Sequence, residues 1–170
     1  MTRNGLTLLG IITGLCVIGV DQSSKWWILN VISLPDVGQI VLLPVLNLTM
    51  VWNRGVTFGL FNGSSQWSYL ALTAVALAVV VGLGVWLRRA ESRLVAIALG
   101  AIAGGAISNV IDRLRFGAVV DFIHAHIGDV SWYVFNLADA AIVCGVAALV
   151  LDSQLTRRRK PQAPGDVSAR

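Results

Sequence analysis

The sequence predicts an integral membrane protein, mostly α, with four transmembrane helices and a small β-sheet layer on the extracytoplasmic side. Three observations carry this expectation. The 170 residues are 56% hydrophobic and only 13% charged, against about 45–50% and about 25% in soluble domains. The apolar residues gather into four long stretches that are nearly free of charge. The segments between the first and second stretches, and between the third and fourth, are rich in strand-forming residues.

A helix needs about 20 residues to cross roughly 30 Å of hydrocarbon. The predicted spans are residues 5–28, 67–87, 94–112 and 135–152. Gly5 to Val20 is too short alone, so the first helix is expected to continue through "DQSSKWW". It reads as a retained helix and not as a secretory signal peptide, because no A-x-A-like site follows it. Residues 30–66 contain "QIVLLPVLNLTMVWNRG", with Val, Leu, Thr and Trp, an interrupting Pro44 and a terminal Asn-Arg-Gly, a pattern of strands and a turn. Residues 114–134 contribute "GAVVDFIHAH" and most of "DVSWYVFN". Two strand-rich loops on one side of a membrane can pair, and this pairing is the expected sheet. Trp67 and Tyr69 then lead into the second span as interfacial anchors.

In the third span Gly100, Gly104 and Ser108 recur every four residues, widened by Ala101 and Gly105. Ala138, Ala141, Gly145 and Ala148 do the same in the fourth. Small residues at this spacing let helix backbones approach closely. Cys16 and Cys144 lie within apolar stretches and read as buried small hydrophobes, without a disulfide or metal role.

Arginine placement orients the chain. Arg3, the three arginines of "RRAESR" at 88–93 and the tail "RRRKPQ" outweigh Lys25, Arg54, Arg113 and Arg115 in the other connections. The positive-inside rule puts both termini and the 88–93 connection in the cytoplasm and the 30–66 and 114–134 loops outside. The net charge of +4 is thereby used by topology, with no nucleic-acid partner implied. Residues 1–155 form one membrane domain, and 156–170 read as a basic, disordered cytoplasmic tail.

Polar residues collect near the predicted outer boundary. Asp21 and Lys25 share a helix face at i,i+4 and can pair. Asn109, Asp112 and Arg113 end the third span, Asp121 follows in "GAVVDFI", and Asn136 and Asp139 open the fourth at i,i+3. Of the nine acidic residues in the chain, Asp21, Asp112, Asp121 and Asp139 converge here. An ion-pair network accounts for two of them, Asp21 with Lys25 and Asp112 with Arg113. Asp121 and Asp139 have apolar neighbours and no adjacent base. Two carboxylates held close cannot both ionise, so one keeps a proton while the other can activate a water. A catalytic pair, a proton or ion pathway and a purely structural cluster all remain open at this point.

Other chemistries have less support. His124 and His126 alternate as on one strand face and with Asp121 imitate a metal site, but the ligands are too few for a metal to be assigned. No H-E-x-x-H, G-x-S-x-G, P-loop or G-x-G-x-x-G occurs. Ser23 and Ser24 beside Lys25 are neighbours on a helix and do not face it.

The stretches "DQSSKWW", "NRGVTFG", "GGAISNVIDR", "VVDFI" and "FNLADAAI" occur in an order that resembles the lipoprotein signal peptidase (signal peptidase II) family, bacterial membrane aspartic endopeptidases. The resemblance covers residues 5 to 152. It implies that Asp121 and Asp139 match the catalytic aspartates, and that Asn53 and Gly55 match an Asn-x-Gly turn beside them. Asn109, Asp112 and Arg113 match N-x-x-D-R, Asp21 and Lys25 match D-x-x-x-K, and Asn136 matches the Asn before the second aspartate. Where the family usually has two alanines after Asn-x-Gly, this chain has Val56 and Thr57.

The implied function is cleavage of signal peptides from diacylglyceryl-modified prolipoproteins, just before the lipidated cysteine, with no cofactor or metal. The implied partners are that prolipoprotein and membrane lipid. The implied setting is the bacterial cytoplasmic (inner) membrane, with a monomer whose active site lies near the outer face. A small proton- or ion-coupled transport protein using the same aspartates is the competing reading. It predicts charges near the midplane and repeated halves, and no internal repeat is found.

Overall fold

The computed structural model describes residues 1–55, 66–128, 130–131 and 133–159. The Val56–Thr57 departure, the side chains of Trp67 and Tyr69 and the tail beyond Arg159 lie outside the described residues. Among the described residues, four helices are long and apolar enough to cross a membrane. They are α1 (Arg3–Asn30), α3 (Gln66–Leu87), α4 (Arg93–Phe116) and α5 (Leu137–Arg159), with a short α2 (Leu34–Val37) after the first. The strands are β1 (Gln39–Leu43), β2 (Leu46–Asn53), β3 (Val119–Ile127) and β4 (Val130–Ser131).

The first helix starts at a Thr2 cap, whose Oγ1 accepts from the Gly5 amide at 3.2 Å. It continues through "DQSSKWW" to Asn30, as its short apolar run requires. At about 1.5 Å per residue it is roughly 42 Å long, more than the hydrocarbon thickness, so its last turns reach the sheet. Helix α4 is the hub. Of its most apolar stretch 56% is buried, against 11–22% for the other three spans. Its small residues decide which partners can approach. A methyl on Gly104 would lie 2.5 Å from the Gly14 carbonyl oxygen of α1, and one on Gly105 would lie 2.5 Å from the Ala138 carbonyl oxygen of α5. The small-residue spacing is thus split between two neighbouring helices.

The sheet has spatial order β1-β2-β3-β4, all antiparallel. Its central pair joins the two strand-rich connections, with Leu46 opposite Ala125, Val51 opposite Asp121 and Asn53 opposite Val119. An irregularity between Leu48 and Val51 shifts that register. Ile28, Leu34, Val120 and Phe122 form the buried core that seats the sheet on the end of α1.

Two local devices aim the chain at the site. Gly117 adopts a left-handed conformation (φ 70°) and closes α4 by donating its N–H to the Arg113 carbonyl at 2.9 Å. The chain therefore reverses directly into β3. Phe135 then bridges to Ile123 by exchanged backbone hydrogen bonds, which brings the start of α5 beside β3.

Two expectations are corrected. Cys16 and Cys144 are free but exposed, not buried. An apolar run facing lipid reads the same as one facing a core, so periodicity does not separate the two. Asp112 does not pair with Arg113. Consecutive helix residues point about 100° apart, and Asp112 turns inward to Lys25 at 2.6 Å.

Candidate active site

Asp21, Lys25, Asp112 and Asn109 form the floor of the polar cluster. Lys25 Nζ lies 2.6 Å from both Asp21 Oδ2 and Asp112 Oδ2 and donates to Asn109 Oδ1 at 3.2 Å, so all three of its protons are used. These charges are almost wholly enclosed, with Asp21 and Asp112 at 0% exposure and Lys25 at 2%. A buried ion group is viable only when its charges are paired and further hydrogen-bonded. Here each carboxylate oxygen has at least one partner. Asp21 accepts from Ser108 Oγ at 2.7 Å and from the Ala138 amide at 2.9 Å. Asp112 accepts from Gln22 Nε2 at 2.8 Å and from the Val120 amide at 3.1 Å. The triad thereby ties α1 to α4, to the start of α5 and to β3.

Above it, asparagine amides organise the other two carboxylates. Asn136 Nδ2 donates to Asp121 Oδ1 at 2.7 Å and to Asn109 Oδ1 at 3.1 Å. Asn109 Nδ2 donates to Asp139 Oδ1 at 2.8 Å. Asn53 Nδ2 donates to Asp121 Oδ2 at 2.8 Å, while its Oδ1 accepts from the Gly55 amide at 2.8 Å. That second bond is an Asx turn, closed by Gly55 at φ 66°. Each amide has its oxygen committed elsewhere, which fixes which end faces the carboxylate.

Asp139 also has a local duty. Asn136 caps α5 by accepting from the Asp139 amide at 2.9 Å, and Asp139 Oδ2 accepts from the Asn136 amide at 3.3 Å. This is a reciprocal capping box. Its carboxylate sits in the first turn of α5, where a helix tolerates negative charge best. The Asp139 carboxylate is therefore placed where α5 tolerates it best.

Asp121 is 1% exposed and lies on β3, outside the spanning helices. Burial pushes its pKa up, and the nearby Asp139 charge adds to the rise. The amides of Asn53 and Asn136 and the charge of Lys25 hold it back, leaving it at about 6. A carboxyl poised there can exchange a proton near neutrality. Arg113 stands beside the pair with donors to spare. Its Nη1 reaches the Asn109 carbonyl at only 3.4 Å, and its Nε has no partner among the described residues.

The residues that the family resemblance names thus lie in one neighbourhood, with Asn53 at the end of β2 and Gly55 in the turn after it joined through Asp121. Strand alternation separates His124 and His126 from Asp121. His124 instead contacts Thr49 Oγ1 at 3.3 Å and Ser131 Oγ at 3.2 Å. Among the described residues no group of three or more His, Cys, Asp or Glu side chains is placed to hold a metal. Gln22 and Ser108 were not singled out as site residues. Gln22 binds Ser108 and Asp112 and accepts from Arg115. The signal was available: 21, 22 and 25 share a helical face, as do 105, 108, 109 and 112.

The architecture and the cluster define a class: a polytopic membrane protein whose helices and small sheet enclose two bridged carboxylates. The chain matches the model of the family described as Signal peptidase (SPase) II over residues 13–155. It is 50% identical to the lipoprotein signal peptidase of Methylorubrum extorquens (strain PA1) over 155 residues, covering 91% of this chain and 89% of that protein. It is 43% identical to the lipoprotein signal peptidase of Methylobacterium sp. (strain 4-46) over 152 residues, covering 89% and 92%. Its fold is similar to that of a bacterial membrane enzyme solved by the in meso method at 2.3 Å resolution, with a TM-score of 0.75 and 24% identity over 91% of this chain and 93% of that one. The chain belongs to the signal peptidase II family and is a membrane protease.

Proposed function

We propose that this protein removes signal peptides from prolipoproteins whose cysteine carries a diacylglyceryl group, cutting just before that cysteine, with Asp121 and Asp139 as the catalytic pair. The observation that carries the proposal is the asparagine-bridged pair itself, one member buried on β3 and the other at the mouth of α5. Its position at one end of the spans suits a bilayer-embedded signal peptide. Such a substrate has a basic n-region and an apolar h-region of about 7–15 residues before its cleavage site. With the n-region inside, the scissile bond comes to the outer interface while the lipid chains stay in the bilayer.

The ionised carboxylate takes a proton from a water, whose oxygen attacks the scissile carbonyl carbon. The protonated carboxyl donates to the carbonyl oxygen. The proton held by the first then passes to the departing amine as the C–N bond breaks, and a gem-diol hydroxyl returns its proton to the second carboxylate as the carbonyl re-forms, which leaves one proton on the pair. The acid and base titrate as a unit. Arg113, with its spare donors, and Asn53, beside the turn, position peptide groups. Asp21, Lys25 and Asp112 hold the floor. The protein acts as a monomer in the inner membrane, with both termini cytoplasmic and the site near the outer face.

The test is cleavage of a diacylglyceryl-modified prolipoprotein by the purified protein in detergent. Asp121→Asn and Asp139→Asn should each abolish cleavage while the thermal transition and membrane insertion persist. The double variant should be no worse than either single one, because groups acting as one unit are not additive. Appreciable turnover by a folded single variant overturns the pair.

A further inference from the structure

At the opposite end of the bundle, α1 and α3 leave a groove of about 390 Å³ lined by Arg3, Asn4, Thr7, Leu8, Ile11 and Arg88. The two helices meet where Leu87 packs against Gly10, so Arg88 projects from the end of α3 beside the first turn of α1. Its chemistry is divided along its length. Arg3, Asn4 and Arg88 sit at the mouth, while Leu8 (57% exposed) and Ile11 (49% exposed) continue down the outward face of α1. Neither arginine forms an ion pair among the described residues, whose salt bridges both belong to Lys25. The N-terminal end of α1 adds the positive end of a helix dipole.

We infer that this groove is a binding site for an anionic glycerophospholipid, its phosphate held between Arg3 and Arg88 and an acyl chain lying along Leu8 and Ile11. Three arguments select this occupant. Two guanidinium groups offer forked donors matched to phosphate oxygens. Basic pockets between spanning helices are a recurring headgroup site. The apolar half of the groove continues the lipid-facing surface of α1, which a water-soluble phosphate ester would leave unused. The site is independent of the carboxylate cluster, and its occupancy does not depend on the peptidase reading.

The test is native mass spectrometry of the full-length protein released from detergent in the presence of phosphatidylglycerol, phosphatidylcholine or glycerol 1-phosphate. Phosphatidylglycerol should be retained in preference to phosphatidylcholine, and glycerol 1-phosphate should not displace it at equal concentration. A basic side chain at an anionic surface is worth about fivefold in binding, so Arg3→Gln and Arg88→Gln should each weaken retention about fivefold and the pair about 25-fold. Arg89→Gln removes the same charge one residue away from the lining and should leave retention unchanged. Thermal transitions of all variants in lipid-free detergent should match the parent, which separates lost binding from lost folding. Equal retention of phosphatidylcholine, equal loss in Arg89→Gln or displacement by glycerol 1-phosphate would each overturn the site.

Discussion

Single side chains in this protein are set by the donors around them, and Asn53 gives the sharpest case. Its amide donates to Asp121, which favours the charged carboxylate and restrains a pKa that burial drives up to about 6. Asn53→Ala removes that restraint, so the limb of the pH–rate profile belonging to Asp121 should move to higher pH, whichever proton-transfer role Asp121 has. Initial rates of prolipoprotein cleavage between about pH 5 and 8 measure this; an unmoved limb would show that Asn53 serves only the turn. At this scale much was legible. Asp121, Asp139, Asn109 and Asn136 stand out because polar groups beside apolar runs need partners. The partners themselves were harder to read. Asp112 precedes Arg113 in sequence, yet its salt bridge is to Lys25, a contact between α1 and α4 that no local pattern shows. The capping box of Asn136 and Asp139 did lie in plain view at i,i+3, but without the helix boundary its reciprocal bonds could not be told from a bare shared face.

Among the elements, α4 decides the spacing. Gly104 meets the backbone of α1, and overpacking of this kind costs about 1–3 kcal/mol. Gly104→Ala should therefore lower the thermal transition in detergent and weaken cleavage, by pushing Lys25 away from Asp112. Gly19→Ala is the matched control, since nothing lies within 4 Å of its added methyl; better helix propensity should leave it as stable as the parent or more so. Equal transitions for the two variants would show that the close approach carries no weight. The spans were legible from hydropathy to within a few residues of their starts, and the sheet from strand-rich loops. Which helix becomes the hub was not, because small residues mark close approach without naming the partner. The bulge in β2 and the Phe135 bridge were not legible either, since both arise from pairing between distant segments.

For the molecule as a whole, the proposed mechanism requires a particular orientation in the membrane. The basic connection at 88–93 should lie inside and the sheet outside. In a chain with Cys16 and Cys144 replaced by alanine, Val41→Cys should react with a membrane-impermeant thiol reagent in intact spheroplasts. Glu91→Cys should react only after permeabilisation. The reverse pattern would invert the topology and with it the proposed approach of the substrate. Val41 suits the purpose because it is 71% exposed on the edge strand of the sheet.

The ion triad has a consequence for biogenesis. Asp21 and Lys25 arrive in the membrane first, on α1, and neutralise one another on a single helix face while the rest of the chain is still being made. Asp112 enters later and finds a cation already waiting in α1. Asp121 follows on β3, and Asp139 arrives last, its helix start accepted by the free oxygen of Asp21. The first span thus serves as a seat that later spans occupy in order, and the two carboxylates proposed to cut peptide come together only after the final helix is inserted. If these two carboxylates are the catalytic pair, a nascent chain stays inert until α5 is in place, and proteolytic capacity follows from completion of the fold.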